Sequence, residues 1–168
     1  MDKSLANVTK VCAILDASPY SLVHNDFNPR NLCLRKEPVP HGKARLCVYD
    51  WEAIRVANPQ HDVAEFLAYT LPENSTPEAW APYIEAYRQA LLAELQRLKV
   101  ADDVIASVED MDRFQQVFDM CALELMWNRV ATCLYFDVNV FAVPFAARIG
   151  GNLVRYIESI AGRYDFLV

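Results

Sequence analysis

The sequence predicts a mainly α-helical domain that carries one small β-hairpin. From position 59 onward the chain is predicted to be helical, and at 80–98 apolar residues recur at spacings of three and four, which is typical of an amphipathic helix. Before that point, two short apolar runs, 32–35 and 45–49, flank the turn-rich segment 38–43, which contains two prolines and a glycine. Such an arrangement is typical of two antiparallel strands and their connection. No repeat, low-complexity tract or linker interrupts the 168 residues, so we expect a single domain, 1–168.

The positions of apolar and helix-breaking residues predict the individual elements. An apolar stripe predicts a first helix at 4–17, and Ser18-Pro19 ends it. Residues 20–23 are expected to be extended and to lead into a polar loop, so that loop and hairpin together occupy about 20–52. The helical remainder, 59–163, is predicted to contain helices at 61–71, from a capping-box start at 75–78, at 110–135 and at 145–162. The segment 102–108 is predicted to be a short helix or a turn.

Composition argues against several classes of protein. The net charge of −6 at pH 7 argues against nucleic-acid binding and is compatible with a cationic small-molecule substrate. No apolar run reaches the roughly 18 residues of a membrane span. The N-terminus lacks the apolar stretch of a signal peptide, so we expect a cytoplasmic protein without a membrane partner. Five cysteines without a C-x-x-C pair predict buried, reduced thiols and no disulfide framework.

One polar segment between two short apolar runs holds the candidate chemistry: His24-Asn25-Asp26-Phe27-Asn28-Pro29-Arg30-Asn31. In a hairpin, Asn31 just before the first strand and Asp50 just after the second come to the same end. Mg²⁺-dependent phosphoryl transfer needs a carboxylate that orients the attacking hydroxyl and oxygen ligands for the metal ion. Asp26, Asn31 and Asp50 are such a set. The alternative is a polar turn whose Asp and Asn side chains satisfy their own backbone.

The pattern His24-x-Asp26-x4-Asn31, followed by Asp50 and by Asp62, resembles the aminoglycoside phosphotransferase and choline kinase-like family, a branch of the protein-kinase-like fold. The diagnostic part covers roughly residues 20–70. The resemblance implies Mg²⁺ and ATP, or another nucleoside triphosphate, as cofactors. It also implies transfer of the γ-phosphoryl group to a hydroxyl of a small molecule.

The resemblance assigns a role to most of these positions. Asp26 is the expected catalytic base. Asn31 is expected to hydrogen-bond Asp26 and to bind the metal ion, for which Asp50 is the main ligand. His24 and Asp62 are expected to support the loop, Asp62 by accepting hydrogen bonds from its backbone amides.

Three further side chains have less specific assignments. Asn28 could contact the γ-phosphate. Arg30 either stabilises phosphate charge, since a guanidinium matches phosphate oxygens, or pairs with a surface carboxylate. Glu52 either takes part in metal binding or is a surface carboxylate. Asn25 stands where the family usually has glycine, which is a mild departure because asparagine tolerates unusual backbone angles.

The family fold has two lobes, and the chain resembles the C-terminal lobe with the N-lobe absent. Only 23 residues precede His24, and they are predicted to be helical, whereas the family's N-lobe supplies a nucleotide-covering loop and a strand lysine. We therefore expect low activity from this chain alone. The hydrophobic content of 54% predicts an apolar surface that meets a partner chain or a second copy in a homo-oligomer.

Two functions from different classes remain open at this point. The first is an ATP-dependent small-molecule phosphotransferase that needs an N-lobe from elsewhere, and the intact Asp26, Asn31 and Asp50 favour it. The second is a non-catalytic kinase-like module that binds a partner or ligand, which the missing lobe favours. An all-helical scaffold without an active site is a simpler form of the second. Neither the phosphoryl acceptor nor a choice between ATP and GTP follows from the pattern.

Overall fold

The computed structural model describes residues 3–35, 45–135 and 144–166. Its helices are α1 (Lys3–Asp16), α2 (Gln60–Thr70), α3 (Ala81–Leu98), α4 (Asp102–Glu109), α5 (Met111–Tyr135) and α6 (Pro144–Ile160). Its strands are β1 (Ser21–Val23), β2 (Leu32–Leu34), β3 (Leu46–Val48) and β4 (Arg55–Ala57). Short 3₁₀ turns occur at Pro29–Asn31, Trp51–Ala53, Pro77–Trp80 and Ala161–Arg163. The predicted mainly α fold with a small β part is confirmed.

Two short antiparallel strand pairs make up the β part. β2 pairs with β3, with Cys33 opposite Cys47, which confirms the predicted hairpin. Its connection, including the predicted turn at 38–43, lies outside the described residues. The second pair joins β1 to β4, with Leu22 opposite Val56. We did not predict β4, because three residues are too few to show a strand period and the pairing depends on contacts distant in sequence.

The main core lies between α2, α5 and α6, and α3 covers one side of it. Its aromatic centre is Trp80, whose ring centroid lies 4.5 Å from that of Tyr156 and 6.3 Å from that of Phe118. A second apolar cluster joins α1 to α5 and includes Val11, Leu15, Val117, Met120, Cys121 and Leu123. Burial of each large apolar side chain contributes roughly 1.5–3 kcal/mol, so these clusters hold α2 and α5 in place behind the polar loop.

Charged residues interrupt the apolar sequence of α5, and Asp119 and Glu124 are among those with partners in other elements. Asp119 is fully buried and accepts hydrogen bonds from the hydroxyls of Tyr156 at 2.7 Å and Tyr164 at 2.8 Å. Such bonds are necessary because an unpaired buried carboxylate would cost several kcal/mol. Glu124 pairs with Arg55 of β4 at 3.1 Å. Within the described part of the chain, no helix is both long and apolar enough to cross a membrane.

The predicted capping box at 75–78 is wrong. Pro77–Trp80 forms a 3₁₀ turn, and its N-cap residue Thr76 makes no side-chain capping hydrogen bond. The α-helix begins only at Ala81, with Pro82 in its first turn. A proline is favourable there because its missing N–H would have no partner inside the helix, and its fixed φ suits the helix start.

The prediction of buried thiols is wrong for most of the described cysteines. Those cysteines are free, as predicted, but only Cys121 is buried. Cys12 and Cys33 are exposed, and Cys47 is half-buried. Composition indicates that thiols are reduced but does not indicate which face of a helix or strand they occupy.

Candidate active site

The carboxylate of Asp62 stabilises the polar loop at 24–31 through hydrogen bonds from the loop backbone. Its two oxygens accept hydrogen bonds from the backbone N–H groups of His24, at 2.7 Å, and Asn25, at 2.9 Å. Asn25 has a φ of 62°, which lies in the left-handed region that asparagine adopts more readily than most residues. Asp62 lies in the first turn of α2, where the helix dipole favours a negative charge.

Two asparagine amides orient the carboxylate of Asp26. Asn28 Nδ2 donates to Asp26 Oδ1 at 2.8 Å, and Asn31 Nδ2 donates to Asp26 Oδ2 at 2.8 Å. Because a carboxylate only accepts, each amide must present its nitrogen to Asp26 and its oxygen elsewhere. The side chain of Asp26 is 35% exposed, so the carboxylate is fixed in direction and still open to a small molecule.

Asn28 lies inside the loop and is fully buried. Its Oδ1 accepts hydrogen bonds from the backbone N–H of Arg30 at 3.0 Å and from its Nε at 3.3 Å. Both the nitrogen and the oxygen of the Asn28 side-chain amide therefore make hydrogen bonds within the loop. The phosphate contact of Asn28 stays a prediction, and the contacts seen here align Asp26 with Arg30.

His24 is buried behind the loop and joins it to the end of β3. Its Nε2 lies 2.8 Å from the carbonyl oxygen of Tyr49, and a carbonyl only accepts, so Nε2 carries the hydrogen. The imidazole ring also contacts the indole of Trp51, at 4.7 Å between centroids. These contacts couple the loop to the segment that contains Asp50.

The hairpin brings Asp50 to the same end as Asn31. The N–H of Tyr49 donates to the carbonyl oxygen of Asn31 at 3.1 Å, and Asp50 follows directly. Asp50 is exposed and has left-handed backbone angles, φ 64° and ψ 59°. A left-handed residue other than glycine costs roughly 1–2 kcal/mol, and such strain concentrates at functional sites. Glu52 lies in the adjoining 3₁₀ turn and is also exposed.

Two charged residues that the sequence analysis did not assign also hold this loop. Glu65 of α2 is fully buried and accepts a hydrogen bond from the backbone N–H of Phe27 at 2.8 Å. Its other oxygen pairs with the guanidinium of Arg129 from α5, which also lies 4.0 Å from the carboxylate of Asp26. Glu65 follows Asp62 by three positions, so helical spacing was an available signal. No local pattern indicates Arg129.

The comparison with protein families shows the family to which this chain belongs. The sequence model of the phosphotransferase enzyme family, abbreviated APH, matches residues 2–101, which is more than half of the chain. This chain belongs to the phosphotransferase enzyme family. A search of curated proteins and a search of solved structures each find no match. That this family member represents the C-terminal lobe alone, forms one domain and is cytoplasmic stays a prediction.

Members of the phosphotransferase family generally use ATP and Mg²⁺, and this member has oxygen donors suited to the metal. Both hydrogen bonds from Asn31 to Asp26 use Nδ2, so its Oδ1 is not needed for orienting Asp26. The carboxylate of Asp50 is exposed at the same end of the hairpin. Amide and carboxylate oxygens are the ligand types that Mg²⁺ prefers. The residues present therefore fit the metal.

A second group of potential ligands consists of His61, Asp62 and Glu65, whose donor atoms lie within 4.8 Å of one another. Both carboxylates are already used, since Asp62 accepts from two loop amides and Glu65 accepts from Phe27 and Arg129. The positive charge of Arg129 also opposes a cation here. We interpret this group as support for the loop.

His61 makes the stability of this phosphotransferase-family chain depend on pH. The ring is buried, and within the described residues neither nitrogen has a hydrogen-bond partner. Burial, followed by the nearby Arg55, lowers the pKa of His61 from 6.5 to about 4. Between these pH values the unfolded chain binds a proton that the folded chain excludes, so the free energy of unfolding falls as pH falls. We expect a loss on the order of 3 kcal/mol across this window.

Urea denaturation at several pH values measures this effect. The variant His61→Leu replaces the titrating imidazole with an apolar side chain of similar size. We expect the free energy of unfolding of the variant to decrease less between about pH 6.5 and about pH 4. An identical pH slope in both proteins would contradict the assignment to His61.

One cavity of the described residues is separate from this loop. It has a volume of about 830 Å³ and lies between α1, α5 and the C-terminal turn, where Ser18, Arg113 and Tyr164 contribute to its walls. A narrower groove of about 360 Å³ adjoins the loop through Phe27 and Asp62. Its remaining walls are largely apolar. The first of these two cavities is the larger, but the oriented carboxylate of Asp26 lies in the loop. We therefore take the loop as the candidate active site.

Proposed function

We propose that this chain transfers the γ-phosphoryl group of ATP, or of another nucleoside triphosphate, to a hydroxyl of a small-molecule acceptor. The observation that carries the proposal is the geometry of Asp26, whose two oxygens are fixed by Asn28 and Asn31 while the side chain stays partly exposed. A carboxylate fixed in this way can accept the hydrogen bond of an acceptor hydroxyl and direct its oxygen at phosphorus. Positioning of this kind supplies much of the catalysis of phosphoryl transfer.

The charges around Asp26 suit the same reaction. Asn31 Oδ1 and the Asp50 carboxylate would hold Mg²⁺, which when bound neutralises and orients the phosphate oxygens. Arg30 lies on the loop and adds a positive charge for the transferring group. Arg129 offsets part of the negative charge of Asp26 and Glu65. A cationic acceptor, ATP as the donor and Mg²⁺ as the metal are all parts of the proposal.

The strands of this chain present an apolar surface that a partner would cover. Leu22 and Val56 face each other across β1 and β4 and are 68% and 66% exposed. Leu34 and Leu46 face each other across β2 and β3 and are 64% and 54% exposed. Exposed apolar pairs of this kind mark interaction surfaces. We propose that a second lobe, from a partner chain or a second copy, lies against this surface and completes the nucleotide site.

Calorimetric titration of the purified chain with ATP, with and without Mg²⁺, tests the proposed site. We expect binding that requires Mg²⁺ and is lost in Asp50→Gly. Glycine suits the left-handed backbone of Asp50, so this variant removes the ligand without a folding cost. The matched control is Lys99→Gly, because Lys99 has a φ of 54° at the C-terminus of α3. We expect both variants to be as stable as the parent, and only Asp50→Gly to lose nucleotide binding.

The other outcomes discriminate between the two functions. Nucleotide binding that is independent of Mg²⁺, or unchanged in Asp50→Gly, would contradict the proposed metal ligand. Mg²⁺-dependent binding without transfer to any of a panel of amino alcohols and sugars would favour the non-catalytic module. Transfer that appears only after a partner lobe is added would support the proposed completion of the site.

A further inference from the structure

Cys33 and Cys47 lie directly opposite each other on the two strands of the hairpin. The residue pairs on either side of them are hydrogen-bonded through the backbone. The N–H of Arg35 donates to the carbonyl oxygen of Arg45 at 2.9 Å, and the N–H of Tyr49 donates to the carbonyl oxygen of Asn31 at 3.1 Å. Hydrogen-bonded pairs alternate along an antiparallel ladder, so the two cysteines form the next such pair. Residues paired in this way have Cα atoms about 5.5 Å apart, within the range of about 4.4–6.8 Å that a disulfide spans. Their Cβ atoms, about 5.5 Å apart in such a pair, must approach to about 3.5–4.5 Å when the bond forms.

The two thiols face the same side of the hairpin and contact each other. Side chains of directly opposite residues project to one face of a strand pair. The Cys33 and Cys47 thiols lie within hydrogen-bonding contact of each other. Cys33 is exposed and Cys47 is half-buried, so a small oxidant can reach the pair.

We propose that Cys33 and Cys47 are an oxidation site that closes reversibly to a disulfide across the hairpin. With hydrogen peroxide as the oxidant, the Cys33 thiol releases its proton and its sulfur attacks one peroxide oxygen. The O–O bond breaks, and the leaving hydroxide takes up that proton and becomes water, so that Cys33 becomes a sulfenic acid. The Cys47 thiol then attacks this sulfur, the S–S bond forms, and the S–O bond breaks to release a second water. Two thiols lose two electrons and two protons, and one peroxide becomes two waters. A dithiol reductant reverses the change by exchange.

The cross-link acts on the end of the hairpin that contains the candidate metal ligands. Cys33 follows Asn31 by two positions, and Cys47 precedes Asp50 by three. A covalent link between the strands prevents the ladder from separating here, so the ends that contain Asn31 and Asp50 stay together. The consequence for metal binding rests on the proposed function, whereas the formation of the disulfide does not.

Mass spectrometry and thiol counting on the folded chain test the proposal. After treatment with peroxide, we expect a monomer that is about 2 Da lighter, has two fewer titratable thiols and yields a Cys33–Cys47 cross-linked peptide. Cys33→Ser and Cys47→Ser should each abolish that species. The matched control is Cys12→Ser, since Cys12 is exposed but lies on α1, and it should behave as the parent does. The amide of Tyr49, which donates to Asn31, should exchange with deuterium more slowly in the oxidised chain.

Three results would overturn the inference. The first is a Cys33–Cys47 link that forms no faster in the folded chain than in urea, because the fold would then contribute nothing. The second is oxidation that yields only disulfide-linked dimers or sulfinic acids. The third is a 2 Da loss that persists in both Cys33→Ser and Cys47→Ser, which would assign the link to other cysteines. None of these readouts uses nucleotide, so failure here is distinguishable from failure of the proposed phosphotransferase activity.

Discussion

Replacing Asp62 with alanine is expected to lower the free energy of unfolding by about 3–6 kcal/mol, because two hydrogen bonds to a charged acceptor are lost and each contributes about 1.5–3 kcal/mol. The backbone N–H groups of His24 and Asn25 both donate to this carboxylate. The loop at 24–31 should therefore move, and Mg²⁺-dependent nucleotide binding should weaken together with stability.

Urea denaturation gives the free energies of unfolding of Asp62→Ala and Asp112→Ala. The difference between the two losses separates the hydrogen bonds of Asp62 to the loop from the general effect of an acidic residue at a helix start. Asp112 also lies in the first turn of its helix, α5, but it is exposed. Its loss should cost only about 0.3–1 kcal/mol through the helix dipole. Equal losses in the two variants would show that Asp62 acts only as a helix-start charge and does not hold the loop.

Replacing Asp26 with asparagine is expected to lower the rate of phosphoryl transfer by about 10²–10⁴-fold, the usual contribution of a positioned base. An asparagine here has only one acceptor oxygen, whereas the amide nitrogens of Asn28 and Asn31 each donate to one oxygen of Asp26. One of these donors would face the new amide nitrogen, so the orientation would be lost together with the charge.

Turnover and nucleotide binding should respond differently to this change. We expect Asp26→Asn to retain Mg²⁺-dependent ATP binding, since Asn31 and Asp50 are the proposed ligands, while transfer to an acceptor hydroxyl falls. Asp16→Asn is the matched control, because its carboxylate also accepts a hydrogen bond, from the hydroxyl of Tyr20 at 2.6 Å, but at an exposed position on α1. Unchanged turnover in Asp26→Asn, or parallel loss of binding and turnover, would contradict the role of Asp26.

Local patterns in the sequence predicted the helices, the hairpin and the loop with good accuracy. The long helix predicted at 110–135 is α5, which spans Met111–Tyr135. Short apolar runs on either side of a turn-rich segment predicted β2 and β3, and antiparallel pairing alone implied that Asn31 and Asp50 share one end. These features depend on residues close together in the chain, so their signals are local. The roles of the individual site residues stay predictions.

The amino-acid pattern alone was enough to predict the family, the helical fold and the positions of Asp26, Asn31 and Asp50 in the loop and at the end of the hairpin. Only the tertiary structure showed that β1 pairs with β4, and that Arg129 of α5 reaches both Glu65 and Asp26. It also placed two thiols opposite each other on an exposed hairpin. The β1–β4 and Arg129 contacts join residues far apart in the chain. The packing of helices and strands selects these contacts, and no local periodicity indicates them.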